Sequence, residues 1–457
     1  MIENQARKWN NSVQPLKQIQ SKSEPEILTR TSQHFFLLSC FLLVLPAFDV
    51  PLLGVSLTAP LIGLMLLEIL FRPRFAFIQK YRAGLIWAFL FITALSVVQA
   101  VTATTEALQL TSAFLPVIRF IFWIFTFIAI LYVSYDGNLM KKTALMLGFG
   151  ILVLAFVRVG EALLFDKWGA WTHPRFITQN AYGVQFSTFI PFGIYFVLMQ
   201  KGFSRFLGIG MLFIVLFALL MNGSRSSWIA VTVSVFVMGL IYSVAKPKYM
   251  SWFLFISAAA VVTMLAVYPL LPDRMRALFE ERIETINDLD SDKSFLVREL
   301  MIQKGIRLFL EDPFFGAGLN RFSSAFVRLD IPAPLRYGSQ QHFNVKSAHN
   351  GYIMLLGETG LFGTVPFATL FLTAAVGGAI ASVKLVRYGY SFAPCVYAAF
   401  CGMSIHLWAL AGLMGTAPWF IYGFVIGFIY LARSQSQKNN EQASVENPLL
   451  TPVSETR

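Results

Sequence analysis

The sequence predicts an all-α membrane protein with about twelve transmembrane helices and one large loop outside the cytoplasm. Composition, the recurrence of long apolar runs and the distribution of cations lead to this fold class. Of 457 residues, 56% are hydrophobic and only 13% are charged, whereas ordinary soluble proteins carry about 25% charged residues. The alternating segments of about ten residues that are typical of an outer-membrane barrel are absent.

Apolar runs long enough to form spans recur from residue 35 to residue 432. The expected spans are 34–48, 52–70, 84–104, 112–134, 143–165, 181–200, 205–221, 226–245, 251–270, 355–383, 391–411 and 418–432. The first two are short, and we separate them at Pro46, Asp49 and Pro51, which a continuous lipid-facing helix would tolerate poorly.

Lysines and arginines set the predicted orientation. With a cytoplasmic N-terminus, the inside segments carry twenty Lys and Arg, and the short outside connectors carry only Lys167, Arg175 and Arg225. This bias predicts that both termini are cytoplasmic and that residues 271–348 lie outside. The net charge of +12 comes without a dense basic run, so it favours a membrane topology signal over nucleic-acid binding.

The chain is therefore divided into five regions. They are a cytoplasmic N-terminal tail 1–33, transmembrane helices one to nine 34–270, a large loop 271–348, helices ten to twelve 349–432, and a disordered cytoplasmic tail 433–457. Within the loop, apolar pairs at helical spacing predict an amphipathic helix over 293–311. The stretch DPFFGAGLNRF predicts a turn-rich end to that helix.

Three ionisable residues gather at the predicted outer face. His349 ends the large loop, Arg225 lies in the turn NGSRSSW, and Arg298 lies in the amphipathic helix of the loop. Guanidinium groups bind phosphate oxygens in bidentate pairs, and histidine can accept a proton from a hydroxyl near neutral pH. Together these residues suit a phosphate-bearing substrate, and the charge of Arg225 is expected to lower the pKa of His349.

Each of these residues also has a purely structural explanation. A histidine beside a span is commonly an interfacial or capping residue. Arg225 could reach lipid headgroups from its turn, and Arg298 could lie on a solvated helix face beside its neighbouring glutamate. The combination, more than any single residue, indicates a site.

Other polar residues of the spans and the loop give weaker indications. Arg119 has no obvious local partner, so it fits either a lipid diphosphate site or an ion pair between helices. Arg158 and Glu161 can pair along one helix face. Asp288 and Asp290 have the Asp-x-Asp spacing of some metal sites, but nucleotide sugars are not expected outside the cytoplasm. Without a zinc-like cluster, a P-loop or a Ser-His-Asp order, no metal or cofactor is predicted.

The stretches SRSSW, DPFFGAGLNRF and HNGYIMLLGETGLFG occur in this order along the chain. Their combination resembles the bacterial O-antigen ligase and polymerase superfamily, over about residues 34–432 and most strongly over 295–365. The resemblance implies a fold similar to type C glycosyltransferases, with no metal and with a lipid-linked glycan as donor. It also implies a multi-pass protein of the bacterial inner membrane whose active site faces the periplasm.

The resemblance further implies glycan transfer from undecaprenyl diphosphate to a sugar hydroxyl, on lipid A–core or on a growing glycan. The essential histidine of the family falls on His349, and its two phosphate-handling arginines fall on Arg225 and Arg298. His349 would then accept the proton of the attacking hydroxyl, and the arginines would stabilise the leaving diphosphate. Attack opposite the leaving group would invert the anomeric centre.

Asn350, Glu358 and Arg119 are candidate supporting residues of this site. The glycines around Glu358 are expected to break a short helix that carries His349 before the true span begins. Glu358 itself is expected either to orient His349 or to hold the acceptor.

Two other functions remain open at this level. A polymerase of lipid-linked O-antigen or exopolysaccharide repeat units would share the donor chemistry. A secondary transporter would also have twelve spans with both termini inside, but transporters place charged residues at the membrane midplane on broken helices. The suggestive residues here lie at the outer face, which favours an enzyme.

Overall fold

The computed structural model describes residues 28–45, 49–50, 55–56, 62–63, 68, 71, 75–103, 110–134, 136–165, 179–251, 254, 258, 268–270, 273, 276–277, 280, 293–327, 348–410, 413 and 415–446. The regular structure of these residues is helical apart from one short antiparallel pair. In it, strand β1 (Asp49–Val50) pairs with strand β2 (Val55–Ser56). The expected all-α class is confirmed for this part of the chain.

The helices are numbered in chain order. They are α1 Arg30–Val44, α2 Phe75–Lys80, α3 Arg82–Ala103, α4 Leu110–Val133, α5 Gly137–Phe165, α6 Gln179–Met199, α7 Gly202–Met221, α8 Arg225–Ala245, α9 Lys293–Glu311, α10 Gly351–Leu372, α11 Gly378–Arg387, α12 Ala393–Leu407 and α13 Thr416–Glu446. A π-helical turn, Thr373–Gly377, joins α10 to α11, and 3-10 turns occupy Pro247–Tyr249 and Tyr268–Leu270.

Eight helices in the described ranges are long and apolar enough to cross a membrane, counting α10 to α11 as one continuous stretch. The apolar helix α12 is shorter, with 15 residues. Two of the expected spans, 52–70 and 251–270, lie mostly outside the described residues. The chain is therefore a multi-pass membrane protein, and a total of twelve spans stays a prediction.

The large loop follows its expected local structure where it is described. Helix α9 covers Lys293–Glu311, which confirms the predicted amphipathic helix. Turns occupy most of the residues from 313 to 325, as the glycine, proline and asparagine content of that stretch predicts. By contrast, α13 continues to Glu446, although a disordered tail was expected from 433, because this polar stretch contains many good helix formers and no glycine or proline.

Apolar packing around α12 and α13 forms the centre of the bundle. Helix α12 packs against α6, α8 and α13, and α13 packs against α4. Trp419, at the start of α13, is buried among aromatic rings, with ring centroids 5.5 Å from Phe91, 6.1 Å from Phe120 and 6.4 Å from Trp87. We refer to these four residues as the aromatic cluster.

Candidate active site

His349 lies in the turn directly before α10. Its φ of 46° is in the left-handed region, which few residues other than glycine adopt. The next residue, Asn350, caps the helix, since its side-chain oxygen accepts hydrogen bonds from the N–H groups of Tyr352 and Ile353, both at 3.1 Å. The expectation that a short helix carries His349 is therefore wrong. The helix begins only after its asparagine cap, and His349 precedes it.

Helix α10 is broken at Gly360, as the glycines of this stretch predict. Gly360 has φ 55° and ψ −152°, a conformation that only glycine adopts readily. The break leaves the carbonyls of Gly357 and Glu358 without helical partners. They accept hydrogen bonds from Ala317 and Gly318 N–H, each at 2.9 Å.

The backbone N–H groups that follow the break also bond to this loop. We call residues 312–323 the docking loop. Beyond the break, the N–H of Leu361 donates to the carbonyl of Pro313 at 2.8 Å, and the N–H of Phe362 donates to that of Phe314 at 3.1 Å. Irregular backbone at membrane depth requires such internal partners. The docking loop and the broken helix therefore form one hydrogen-bonded unit.

Glu358 anchors the docking loop from within α10. Its side chain is fully buried, and its Oε1 accepts the N–H of Phe322 at 3.0 Å. The backbone of Asn320 and Arg321 also hydrogen-bonds to this carboxyl group. Glu358 thus binds loop backbone, and its contribution to the site is to fix the loop.

Lys304, which the sequence did not single out, supports the same loop from α9. It is buried, with Nζ 5.3 Å from the ring centroid of Phe322 and 3.5 Å from the carbonyl oxygen of Ser323. Burial lowers the pKa of Lys304. The cation contacts an aromatic face and a carbonyl, so α9 and the docking loop are tied together.

Close packing of α9 on α10 brings Arg298 to His349. A Cβ added at Gly305 would collide with Ile353, and one added at Gly357 would lie 2.9 Å from the carbonyl oxygen of Gly305. Glycines at this crossing let the two helices approach closely. Arg298, two turns before Gly305 on α9, then acts electrostatically on His349.

The environment of His349 favours its neutral form. Burial of the half-exposed imidazole lowers its pKa from the ordinary 6.5, and the positive charge of Arg298 lowers it further. Arg225 was the cation expected to have this effect, whereas in the structure it is Arg298. A neutral imidazole near pH 7 can accept a proton from a hydroxyl.

Arg225 begins α8, with Ser224 as its N-cap, and its side chain is half-buried. Ser227, in the same turn, is fully buried, and its hydroxyl has no hydrogen-bond partner in the described part of the chain. A Cβ added at Gly183 of α6 would collide with Ser227 Oγ and would lie 3.1 Å from Cε1 of His406. The start of α8 therefore lies beside His406.

His406 is a candidate that sequence reasoning missed. It lies near the end of α12 and is fully buried, and the charge of Arg298 acts on it as well as on His349. The start of α10 contacts the same end of α12, where Tyr352 OH donates to the carbonyl of Ser404 at 3.0 Å. The sequence feature that could have identified His406 is an ionisable residue within an apolar run.

Arg119 is placed differently from the other candidates. It is half-buried on α4, whose main packing partners are α3 and α13. Arg158 and Glu161 lie beside Tyr182, whose hydroxyl donates to Glu161 Oε2 at 3.0 Å and whose ring lies 5.5 Å from the Arg158 guanidinium. This contact supports a structural role for the Arg158–Glu161 pair.

Metal ligands do not cluster in the described ranges, where no group of three or more His, Cys, Asp or Glu side chains could hold an ion. The acidic stretch with Asp288 and Asp290 lies outside those ranges. The donors that the structure does bring together are histidines, arginines and a hydroxyl, which suit an anion more than a cation.

Comparison with known families connects this geometry to an enzyme class. Residues 210–368 match the family model described as O-antigen ligase. The resemblance to the O-antigen ligase and polymerase superfamily is confirmed. The matched segment contains Arg225, Arg298 and His349. The match points to a glycosyltransferase-like enzyme of membrane polysaccharide synthesis. No curated protein matches this chain.

Proposed function

We propose that this protein transfers a glycan from undecaprenyl diphosphate to a sugar hydroxyl of lipid A–core, at the periplasmic face of the bacterial inner membrane. The observation that carries the proposal is that the charge of Arg298 acts on His349. A half-buried histidine whose pKa is lowered by burial and by the charge of Arg298 lies, together with that phosphate-suited cation, within the segment that matches O-antigen ligase. Proton acceptance and phosphate binding are the two capacities that this reaction needs.

In the proposed step, neutral His349 accepts the proton of the acceptor hydroxyl as the oxygen attacks the anomeric carbon of the donor. The bond between that carbon and the diphosphate oxygen breaks, and the electron pair leaves with the diphosphate. Arg225 and Arg298 stabilise the added negative charge. Attack from the face opposite the leaving group inverts the anomeric centre, and the arginines take the part that a metal ion would otherwise play.

The backbone near His349 and around the break in α10 suits catalysis because hydrogen bonds fix it in place. The asparagine cap fixes the turn that carries His349, and the docking loop fills the break in α10. Catalytic groups work best when the surrounding structure holds their geometry before substrate binds. A site of this kind needs little reorganisation on binding.

The proposed orientation can be tested with cysteine labelling. In a chain whose native cysteines are replaced, Ser323→Cys should react with a membrane-impermeant maleimide in intact spheroplasts, since Ser323 is exposed. Met250→Cys, on the predicted cytoplasmic side and also exposed, should react only after lysis. The reverse pattern would place the docking loop in the cytoplasm and overturn the proposed site.

The choice between ligase and polymerase can be tested by deleting the gene and analysing the glycans. A ligase predicts that lipid A–core loses its glycan cap while lipid-linked polymer accumulates. Lipid A–core that carries single repeat units would instead identify a polymerase and overturn the ligase proposal. The donor chemistry would be the same in both cases.

The role of His349 can be tested with purified protein. We expect His349→Ala to lose about 10²–10⁴-fold in transfer rate, which is the usual contribution of a general base, and to keep donor binding because the arginines hold the diphosphate. His34→Ala, at the exposed His34 of α1, serves as the control and should transfer normally. Addition of EDTA should not slow the native protein. Near-full transfer by His349→Ala would show that His349 is only a helix-start residue.

A further inference from the structure

The mechanism above leaves one buried histidine of the site unused. His406 is fully buried, and neither of its ring nitrogens has a hydrogen-bond partner within the described ranges. Leaving such atoms unpaired costs free energy, and buried polar groups in proteins are nearly always satisfied. A polar group of a bound molecule is a natural partner for this imidazole.

Ser227 shares these properties and lies close to the same point of α6, Gly183. It is fully buried, and its Oγ has no hydrogen-bond partner among the residues that the structure describes. A Cβ added at Gly183 would collide with Ser227 Oγ and would lie 3.1 Å from Cε1 and 3.5 Å from Nε2 of His406. Both polar side chains therefore lie next to the backbone of Gly183, where any larger residue would intrude.

The charges around this pair favour an anion. Arg298 acts on His406, and Arg225 precedes Ser227 by two residues at the start of α8. The first turn of a helix presents free N–H groups and the positive end of the helix dipole. The carboxylate of Glu161 accepts a hydrogen bond from the hydroxyl of Tyr182, the residue before Gly183.

We propose that His406 and Ser227 form an inner subsite for the phosphate groups of the donor, with His406 donating a hydrogen bond from its neutral ring to a phosphate oxygen. This inference rests on the proposed function and adds two binding residues to it. The diphosphate is held by Arg225, Arg298 and the inner subsite together. The anomeric carbon is then presented to the acceptor at His349.

The first test measures binding of labelled inorganic pyrophosphate to the purified full-length protein. His406→Leu keeps most of the side-chain volume but has no polar atom, and we expect about tenfold weaker binding. His406→Gln keeps an N–H donor and should recover most of the affinity. Recovery by glutamine distinguishes a binding role from a packing role.

Ser227 offers a variant that hardly disturbs folding, with a matched control on the same helix. Ser227→Ala removes one oxygen atom and should weaken pyrophosphate binding several-fold. Ser234 is also fully buried on α8, but its Oγ donates to the carbonyl of Val231 at 2.9 Å. Ser234→Ala should leave pyrophosphate affinity unchanged. If His406→Leu does not fold, the Ser227 and Ser234 pair decides the question.

The second test distinguishes free pyrophosphate from the lipid-linked donor. In the transfer assay, His406→Leu should raise the KM for undecaprenyl diphosphate glycan about tenfold with little change in kcat. Weaker pyrophosphate binding with an unchanged donor KM would overturn the assignment of the subsite to the donor. A fall in kcat alone, with pyrophosphate affinity unchanged, would show that the pair acts on another part of the reaction.

Failure of the proposed function can be recognised separately. If the native protein transfers no glycan but binds pyrophosphate in a manner that depends on His406 and Ser227, the phosphate subsite stands and the transferase proposal fails. If transfer is normal and neither His406→Leu nor Ser227→Ala weakens pyrophosphate binding, the subsite proposal fails alone. His406 would then be a core histidine.

Discussion

The aromatic cluster and the docking loop hold neighbouring parts of the same bundle by different physical means. Around Trp419, rings pack at centroid distances of 5.5 to 6.4 Å, an attraction that is the sum of many weak contacts. Around Gly360, four backbone hydrogen bonds join α10 to the docking loop. These depend steeply on distance and angle.

The difference indicates where substitutions should matter. A packed aromatic region can adjust when one ring is replaced by another apolar side chain. A broken helix in an apolar setting cannot adjust in this way, because each freed N–H and carbonyl needs a hydrogen-bond partner. The active-site end of the protein should therefore be less tolerant of substitution than the aromatic cluster.

The largest effect is expected for Gly360→Ala. The new Cβ would lie 2.5 Å from the backbone of Phe314, and alanine at φ 55° and ψ −152° costs about 1–3 kcal/mol in addition. We expect the docking loop to separate from α10 and glycan transfer to fall by more than about tenfold, since misplaced catalytic groups lose rate steeply. Transfer rate and the apparent Tm in detergent would both be measured.

Gly210→Ala is the control for this substitution. Gly210 lies in helix α7, and a Cβ there would meet nothing within 4 Å, so its Tm and its activity should stay close to native. If Gly360→Ala behaves like Gly210→Ala, the break in α10 is not needed for the site. The contrast between the two regions would then fail.

A smaller effect is expected for Glu358→Leu. Leucine cannot accept the hydrogen bond of the Phe322 N–H, and an unsatisfied buried donor costs about 1–3 kcal/mol. The Tm of the protein should fall, and the docking loop should become more accessible to protease. Glu358→Gln keeps a carbonyl oxygen at this position and should be close to native. Equal Tm values for the two variants would show that Glu358 is not an anchor.

The sequence predicted the elements of this region better than their connections. Gly357, Gly360 and the stretch after 312 signalled a break and a turn through local chemistry, and both are present. The hydrogen bonds between the break and the turn were not predictable. Residues 313 and 361 are distant in the chain, and no local pattern indicates which loop bonds to which broken helix. His349 was identified correctly as preceding the apolar helix that begins at Gly351. Asn350 was predicted only as a supporting residue, and its role as the cap of this helix was not foreseen.

His406 shows a second limit of sequence reasoning. It lies in an apolar run, where periodicity indicates only a buried helix. Its proposed role depends on Arg298 and Ser227, which lie on two other helices. For Arg298, conversely, the sequence suggested a solvated face as readily as a site. The close crossing of α9 and α10, which lets the charge of Arg298 act on His349, is not visible in the sequence.

The next prediction concerns the pH dependence of transfer. A general base works in its neutral form, so a lowered pKa of His349 places half-maximal activity on the acid side below the ordinary 6.5. Arg298→Gln removes a positive charge that disfavours the imidazolium, so the acid midpoint of the residual activity should move to higher pH. Arg298→Lys keeps the charge and should keep the low midpoint. An unchanged midpoint in Arg298→Gln would show that burial alone sets the pKa of His349.

The smallest effect is expected in the aromatic cluster. Phe120 is almost fully buried and meets Trp419 edge to face at 6.1 Å. Phe120→Leu keeps an apolar side chain but loses the ring contacts, which should lower stability by about 1–2 kcal/mol.

The transfer rate of Phe120→Leu at a temperature well below its Tm should match that of the native protein, because no hydrogen bond of the docking loop is changed. The measurement pairs a thermal unfolding curve in detergent with a transfer assay on the same preparation. A loss of transfer as large as that of Glu358→Leu would show that the cluster also positions the catalytic groups. The two regions would then have to be treated as one cooperative unit.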